Sequence, residues 1–144
     1  TINYHGHRMS LSQVVPLDVY NETAYSLIAE TNYSNHYSFY TEKTVKPILG
    51  QRLFVMLSGQ YSLRNLRNMG FKTFDNVIDE SYDLIFDDNQ RYAAAFEQVK
   101  KLCSMPQQEV YEAIKDTVEH NFNIVMSRNW THYSTDKITE IVNR

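Results

Sequence analysis

The chain has 144 residues and a mass of 17.0 kDa, the size of one domain with room for a single core. Fourteen Lys and Arg against seventeen Asp and Glu leave a formal charge of −3 at pH 7, which removes any global basic field that would draw the chain to nucleic acid or an anionic membrane. At 42% hydrophobic and 22% charged residues the composition is that of a folded domain; no apolar run approaches the roughly 20 residues of a membrane span, and no secretory signal opens the sequence.

Residues 1–12 are polar, carry His5 and His7, and read as a loosely held leading segment. The opening at Thr1 rather than Met suggests a fragment of a longer protein or a processed chain. Val14 to Leu17 and Ala24 to Ala29 are short β-compatible apolar runs, and the second is expected to be a buried strand ending at Glu30-Thr31-Asn32. Residues 31–40, rich in Asn, Ser and Tyr without a period, read as a loop. Thr41 is a suitable N-cap for a helix running through Ile48 and Leu49 to Gly50, with Pro47 in its path. Leu53 to Leu57 is a continuous apolar run closed by Ser58-Gly59, the pattern of a strand covered on both faces. Leu63, Leu66 and Met69 predict a short amphipathic helix from Ser62 to Met69 that stops at Gly70, and Phe71 to Phe74 is expected to be a further strand.

Beyond Asp75 the character changes. Asp79, Glu80, Asp83, Asp87 and Asp88 bracket Leu84-Ile85-Phe86 as an acidic loop, and apolar periodicity predicts helices over about 89–103, 107–126 and 131–142. The expected fold is therefore one α/β domain over 1–144: an α/β sheet core over 13–88 with a short parallel sheet, and a helical part over 89–144. The single cysteine, Cys103, excludes an internal disulfide framework and a multi-cysteine zinc site, which favours a reducing, cytoplasmic setting; it is expected to be a small buried hydrophobe. The Asn-x-Ser/Thr triplets at Asn21, Asn32 and Asn129 are read as polar loop residues.

The densest polar constellation is Glu30-Thr31-Asn32 with Thr41-Glu42-Lys43. In an open α/β sheet, ligands gather outside the carboxyl ends of the strands, where helix N-termini aim free N–H groups, and both triplets belong at that edge. A helix N-terminus favours a phosphate, Lys43 adds a full positive charge, and Glu42 can accept from ribose hydroxyls. The same residues also suit a structural role, with Glu42 complementing the helix dipole and Lys43 solvated. Asp79, Glu80 and Asp83 suit a hard cation less well than they suit helix capping, and no metal motif is present. His120 reads as a satisfied helix histidine, His5 and His7 as flexible, and Arg64 and Arg67 as residues that face water or reach a phosphate.

The run Ala24 to Asn32, the segment Phe39-Tyr40-Thr41-Glu42-Lys43 and the apolar strand Leu53 to Leu57 resemble the donor-binding half of GT-B glycosyltransferases, especially the α1,3-fucosyltransferase type. Gly70-Phe71-Lys72-Thr73-Phe74 and Asp79-Glu80-Ser81-Tyr82-Asp83 also resemble poorly characterised glycosyltransferase-like proteins of bacteria and viruses. The likeness runs from Ala24 to Asp83; it departs from the fucosyltransferase pattern at Thr31, Thr44, Lys46-Pro47 and Ser58. It implies a Rossmann-like GT-B C-terminal half that binds a nucleoside diphosphate sugar and transfers a hexose or deoxyhexose to a glycan or other acceptor. It places the ribose on Glu42 and the diphosphate on Lys43, with Glu30, Thr31, Asn32, Thr41, Ser58 and Gly59 completing the nucleotide-sugar site. No catalytic base, metal or further cofactor is assigned, and the acceptor domain would lie in an N-terminal half. The alternative expectation is a non-catalytic interaction or oligomerisation module on the same half-fold, with Tyr33, Tyr37, Phe39 and Tyr40 as a contact surface and a homo-oligomer as its sign.

Overall fold

The computed structural model describes residues 1–32, 34 and 38–143. The leading segment forms an antiparallel hairpin of β1 (Ile2–Tyr4) and β2 (His7–Met9). His5 and Gly6 both have positive φ, 48° and 82°, as a two-residue type I′ hairpin turn requires. Next come a 3-10 turn over Leu11–Gln13, closed by a Ser10/Gln13 capping box, and α1 (Leu17–Glu22) with Pro16 at its N-cap. The Val14 to Leu17 run is thus a buried anchor, Val14, and a helix start.

The centre of the fold is a parallel pair, β3 (Tyr25–Ala29) and β4 (Leu53–Leu57), in register from Tyr25 opposite Leu53 to Ala29 opposite Leu57. α2 (Glu42–Leu49) joins them, capped by Thr41 and carrying Pro47 inside; α3 (Ser62–Asn68) comes after β4. The first four residues of β4, Leu53 to Met56, are buried, whereas in β3 only Ile28 is fully buried and Leu27 is exposed. β3 is therefore a half-exposed strand rather than the buried one expected.

Phe71 to Phe74 forms no strand. Its backbone is satisfied by side chains: Asn121 accepts from Lys72 N–H (2.8 Å) and donates to Lys72 C=O (2.9 Å), and Glu80 accepts from Phe74 N–H (2.7 Å). Among the described residues the parallel sheet therefore has two strands.

A 3-10 turn over Glu80–Leu84 leads to three helices, α4 (Asp88–Ser104), α5 (Gln107–Ser127) and α6 (Trp130–Val142). α4 covers β4 and α5 packs on α2, so both helices close the core around Leu53, Phe54, Leu63, Leu66, Phe74 and Ile78. Phe54 and Phe74 meet edge-to-face at 5.1 Å between centroids. α6 is held mainly at its start, where Trp130 stacks on Phe71 and Arg128 lies over Phe71, Trp130 and Tyr133; its far end exposes Ile138, Ile141 and Val142. Cys103 is exposed near the end of α4 rather than buried, because its position falls off the face on which Leu102 is buried. The chain is a mixed α/β protein, and among the described residues no helix is long and apolar enough to cross a membrane.

Candidate functional site

β3 and β4 run parallel, so their carboxyl ends lie side by side, and the segments leaving them stay in contact. Gly59 N–H and Ser58 Oγ both donate to the carbonyl of Asn32 (3.3 Å each). Ser62 Oγ donates to the Gly59 carbonyl (2.7 Å) and lies 2.9 Å from Ser58 Oγ, pinning the turn that starts α3. From α4 the buried Arg91 donates through Nε to the Ser58 carbonyl (2.9 Å), with its other nitrogens on Ile85, Phe86 and Asp88.

Glu30 sits at the end of β3 with only 4% of its surface exposed and is fully engaged. Its Oε1 accepts from Thr41 N–H (3.0 Å) and Thr44 Oγ1 (2.5 Å), and its Oε2 accepts from Thr41 Oγ1 (2.7 Å) and Thr31 N–H (3.4 Å). Burial alone would raise its pKa, but the donors on Thr41, Thr44 and Thr31 outweigh that and hold the carboxyl below its ordinary value. The carboxylate thus tethers the strand end to the first turn of α2, and its hydrogen-bonding capacity is spent inside the protein.

Lys43 is exposed at the same corner, its Nζ 3.0 Å from Thr31 Oγ1 and 3.5 Å from Thr41 Oγ1. Two hydroxyls orient this ammonium, and among the described residues no carboxylate neutralises it. Glu42 is half-buried on the first turn and makes no hydrogen bond or ion pair through its carboxylate among the described residues. In that turn Lys43 N–H goes to Thr41 Oγ1 (3.2 Å) and Thr44 N–H to the Thr41 carbonyl (3.1 Å), while Glu42 N–H has no protein acceptor among the described residues. The structure therefore gathers Glu30, Thr31, Asn32, Thr41, Glu42, Lys43, Ser58 and Gly59 around one edge of the sheet. Of the aromatic residues in the adjoining loop, Phe39 is exposed and Tyr40 donates to the Ser62 carbonyl (2.5 Å); Tyr33 and Tyr37 lie outside the described residues.

The acidic segment divides into separate structural tasks. Asp83 accepts from Leu63 N–H (2.9 Å) and Arg64 N–H (3.0 Å) at the start of α3, and Asp79 accepts from Ser81 N–H (2.9 Å). Glu80 is buried, accepting from Thr73 Oγ1 (2.6 Å), Phe74 N–H and Arg67 (2.8 Å); burial raises its pKa against these partners. Among the described residues no group of His, Cys, Asp and Glu could hold a metal ion. His120 lies within 2.9 Å of the Gly70 carbonyl, and Gly70 has φ +92°, a conformation suited to glycine at the end of α3. Arg91 and Asn121 are two buried polar residues that no local motif singles out, since each lies on an otherwise ordinary helix pattern. The one signal they carry is a large polar side chain at a position where helical periodicity calls for an apolar one.

No protein-family model matches the chain, and neither the curated proteins nor the solved structures contain a significant match to it.

Proposed function

We propose that this chain is the donor-binding part of a glycosyltransferase, taking a nucleoside diphosphate sugar at the carboxyl ends of β3 and β4 within a Rossmann-like half of GT-B type. The observation that carries the reading is Lys43: an exposed ammonium without an ion-pair partner among the described residues, held by Thr31 and Thr41 at the N-terminus of a helix, beside the junction of Asn32 with Ser58-Gly59. Cation and helix N-terminus together suit a phosphate, and the likeness of Thr41-Glu42-Lys43 to the fucosyltransferase segment points to a diphosphate.

Lys43 and the Glu42 N–H receive the diphosphate and stabilise the negative charge that grows on it as the sugar leaves. The Glu42 carboxylate takes the ribose hydroxyls. Glu30 is a positioning residue: its bonds to Thr41 and Thr44 fix where the first turn of α2 begins, and with it Lys43. Arg91 and Ser62 hold the Ser58-Gly59 turn close to the ligand. The acceptor and the base that activates it belong to another part of the enzyme.

The test is a thermal-shift screen of GDP, UDP, ADP and their sugar conjugates against the wild-type chain and Lys43→Ala. A ligand that binds only the folded state raises its stability by RT ln(1 + [L]/Kd), about 2.7 kcal/mol at one hundred times Kd. The expected result is a shift with one nucleotide that Lys43→Ala abolishes while its ligand-free melting temperature stays within about 2 °C of wild type, since an exposed surface substitution costs about 0.5 kcal/mol or less. An unfolded Lys43→Ala variant, or a shift that survives the substitution, would contradict the assignment.

One observation favours a second reading, an interaction module: α6 exposes Ile138, Ile141 and Val142, spaced to fall along one face. On that reading the chain self-associates, and Ile141→Lys returns it to a monomer in sedimentation velocity.

A further inference from the structure

α2, α3, α5 and Trp130 at the start of α6 enclose a space that their side chains leave unfilled, a half-open cavity of about 530 Å³. Thr44, Ile48, Leu66 and Phe71 form its buried wall, while Val45, Met69 and Trp130 keep contact with solvent. Val45, 38% exposed, marks the mouth. Protein interiors are close-packed, so a space of this size leaves its lining side chains short of contacts that an occupant would supply.

The chemistry of the wall says what that occupant is. Among the described residues no charged side chain lines the cavity, and each polar group in the wall already donates elsewhere. Thr44 Oγ1 donates to Glu30 (2.5 Å), Tyr40 Oη to the Ser62 carbonyl (2.5 Å) and the Trp130 indole N–H to the Val125 carbonyl (3.1 Å). A charged or strongly polar group would therefore lose its water here without gaining a donor. Phe71 and Trp130 are stacked on one another, 6.2 Å between centroids, so the faces they share are not available to sandwich a planar ligand. A cavity of about 150 Å³ already holds a single benzene ring. This one suits a flexible chain of about ten carbons, which follows an irregular aliphatic wall better than a small rigid ring does.

We propose that this cavity is a binding site for an unbranched hydrocarbon chain, the tail of an amphiphile whose polar head stays in water at the mouth beside Val45. The proposal stands apart from the donor-binding reading, although the two sites share a residue: Thr44, in the cavity wall, bonds the Glu30 carboxylate that fixes the first turn of α2.

Trp130 is the chain's only tryptophan, so its emission reports on the cavity. Titration of the full chain with decanol, decanoate and hexanoate, followed by tryptophan fluorescence and thermal unfolding, tests the proposal. Wild type should bind the ten-carbon probes saturably and melt at a higher temperature with them. Hexanoate should bind about a hundredfold or more weaker than decanoate, since each buried methylene contributes roughly a factor of four. Either order of decanol and decanoate supports the site and tells whether its source is a neutral or an anionic lipid. Val45→Phe and Val125→Phe fill the space and should weaken decanol about tenfold or more, whereas Ile141→Lys, on the exposed face of α6, should bind like wild type. Val45 is exposed, so Val45→Phe decides the matter even if Val125→Phe fails to fold. No saturable change in wild type, binding that survives Val45→Phe, or binding lost in Ile141→Lys would overturn the proposal.

Discussion

Glu30 and Glu80 are two buried carboxylates whose surroundings push them in opposite directions. At Glu30, burial is outweighed by donors from Thr41, Thr44 and Thr31, and its pKa lies below the ordinary 4.5; at Glu80, burial prevails over Thr73, Phe74 and Arg67, and its pKa lies above 4.5. For Glu30 the unfolded chain binds more protons just below pH 4.5, so its contribution to stability is present above that value and is lost as pH falls through the folded pKa. For Glu80 the folded chain keeps the extra proton just above 4.5, so stability declines as pH rises through that window. Thermal unfolding between about pH 3 and 7 should therefore show Glu30→Gln with a flatter acid limb than wild type, and Glu80→Gln without the decline above 4.5. At neutral pH Glu30→Gln should cost about 3 kcal/mol, because an amide presents a donor to groups that all donate. Tyr25 gives a prediction of the other sign. Its hydroxyl is buried without a hydrogen-bond partner among the described residues, so Tyr25→Phe should leave stability unchanged or raise it by about 1 kcal/mol, measured by urea unfolding.

At the scale of elements, α2, β4, α3 and the long helices α4 and α5 are legible in the sequence because each carries its own local signal. Thr41 caps α2, an unbroken apolar run makes β4, and Gly70 ends α3. The Phe71 to Phe74 segment has the same strand-like composition, yet its fate is decided by Asn121 and Glu80, of which the first is remote in sequence. No local pattern carries that information. Asn121→Ala would strand both the N–H and the C=O of Lys72, and should destabilise the domain by about 2 kcal/mol or more in chemical denaturation, a loss that Lys72 substitutions would not reproduce. The hairpin β1–β2 is hidden for a different reason: its strands are three residues long and mostly polar, too short for alternation to register.

For the whole molecule, the candidate site is legible as a set of residues and not as a set of roles. Spacing brings Glu30-Thr31-Asn32 and Thr41-Glu42-Lys43 to one strand edge, but only the folded chain separates the buried tether, Glu30, from the exposed cation, Lys43. Arg64 on the polar side of a short helix is indistinguishable in sequence from a solvated charge; its place over the Tyr61 ring is set by the turn that starts α3. Everything proposed for this edge depends on a nucleoside diphosphate binding where the two parallel strands end. An amide-resolved NMR titration of the full chain with the nucleotide chosen by the thermal-shift screen addresses that directly. Shifts are expected to concentrate at Thr31, Asn32, Glu42, Lys43, Ser58 and Gly59; shifts confined to α6, or none with any nucleoside diphosphate, would contradict it.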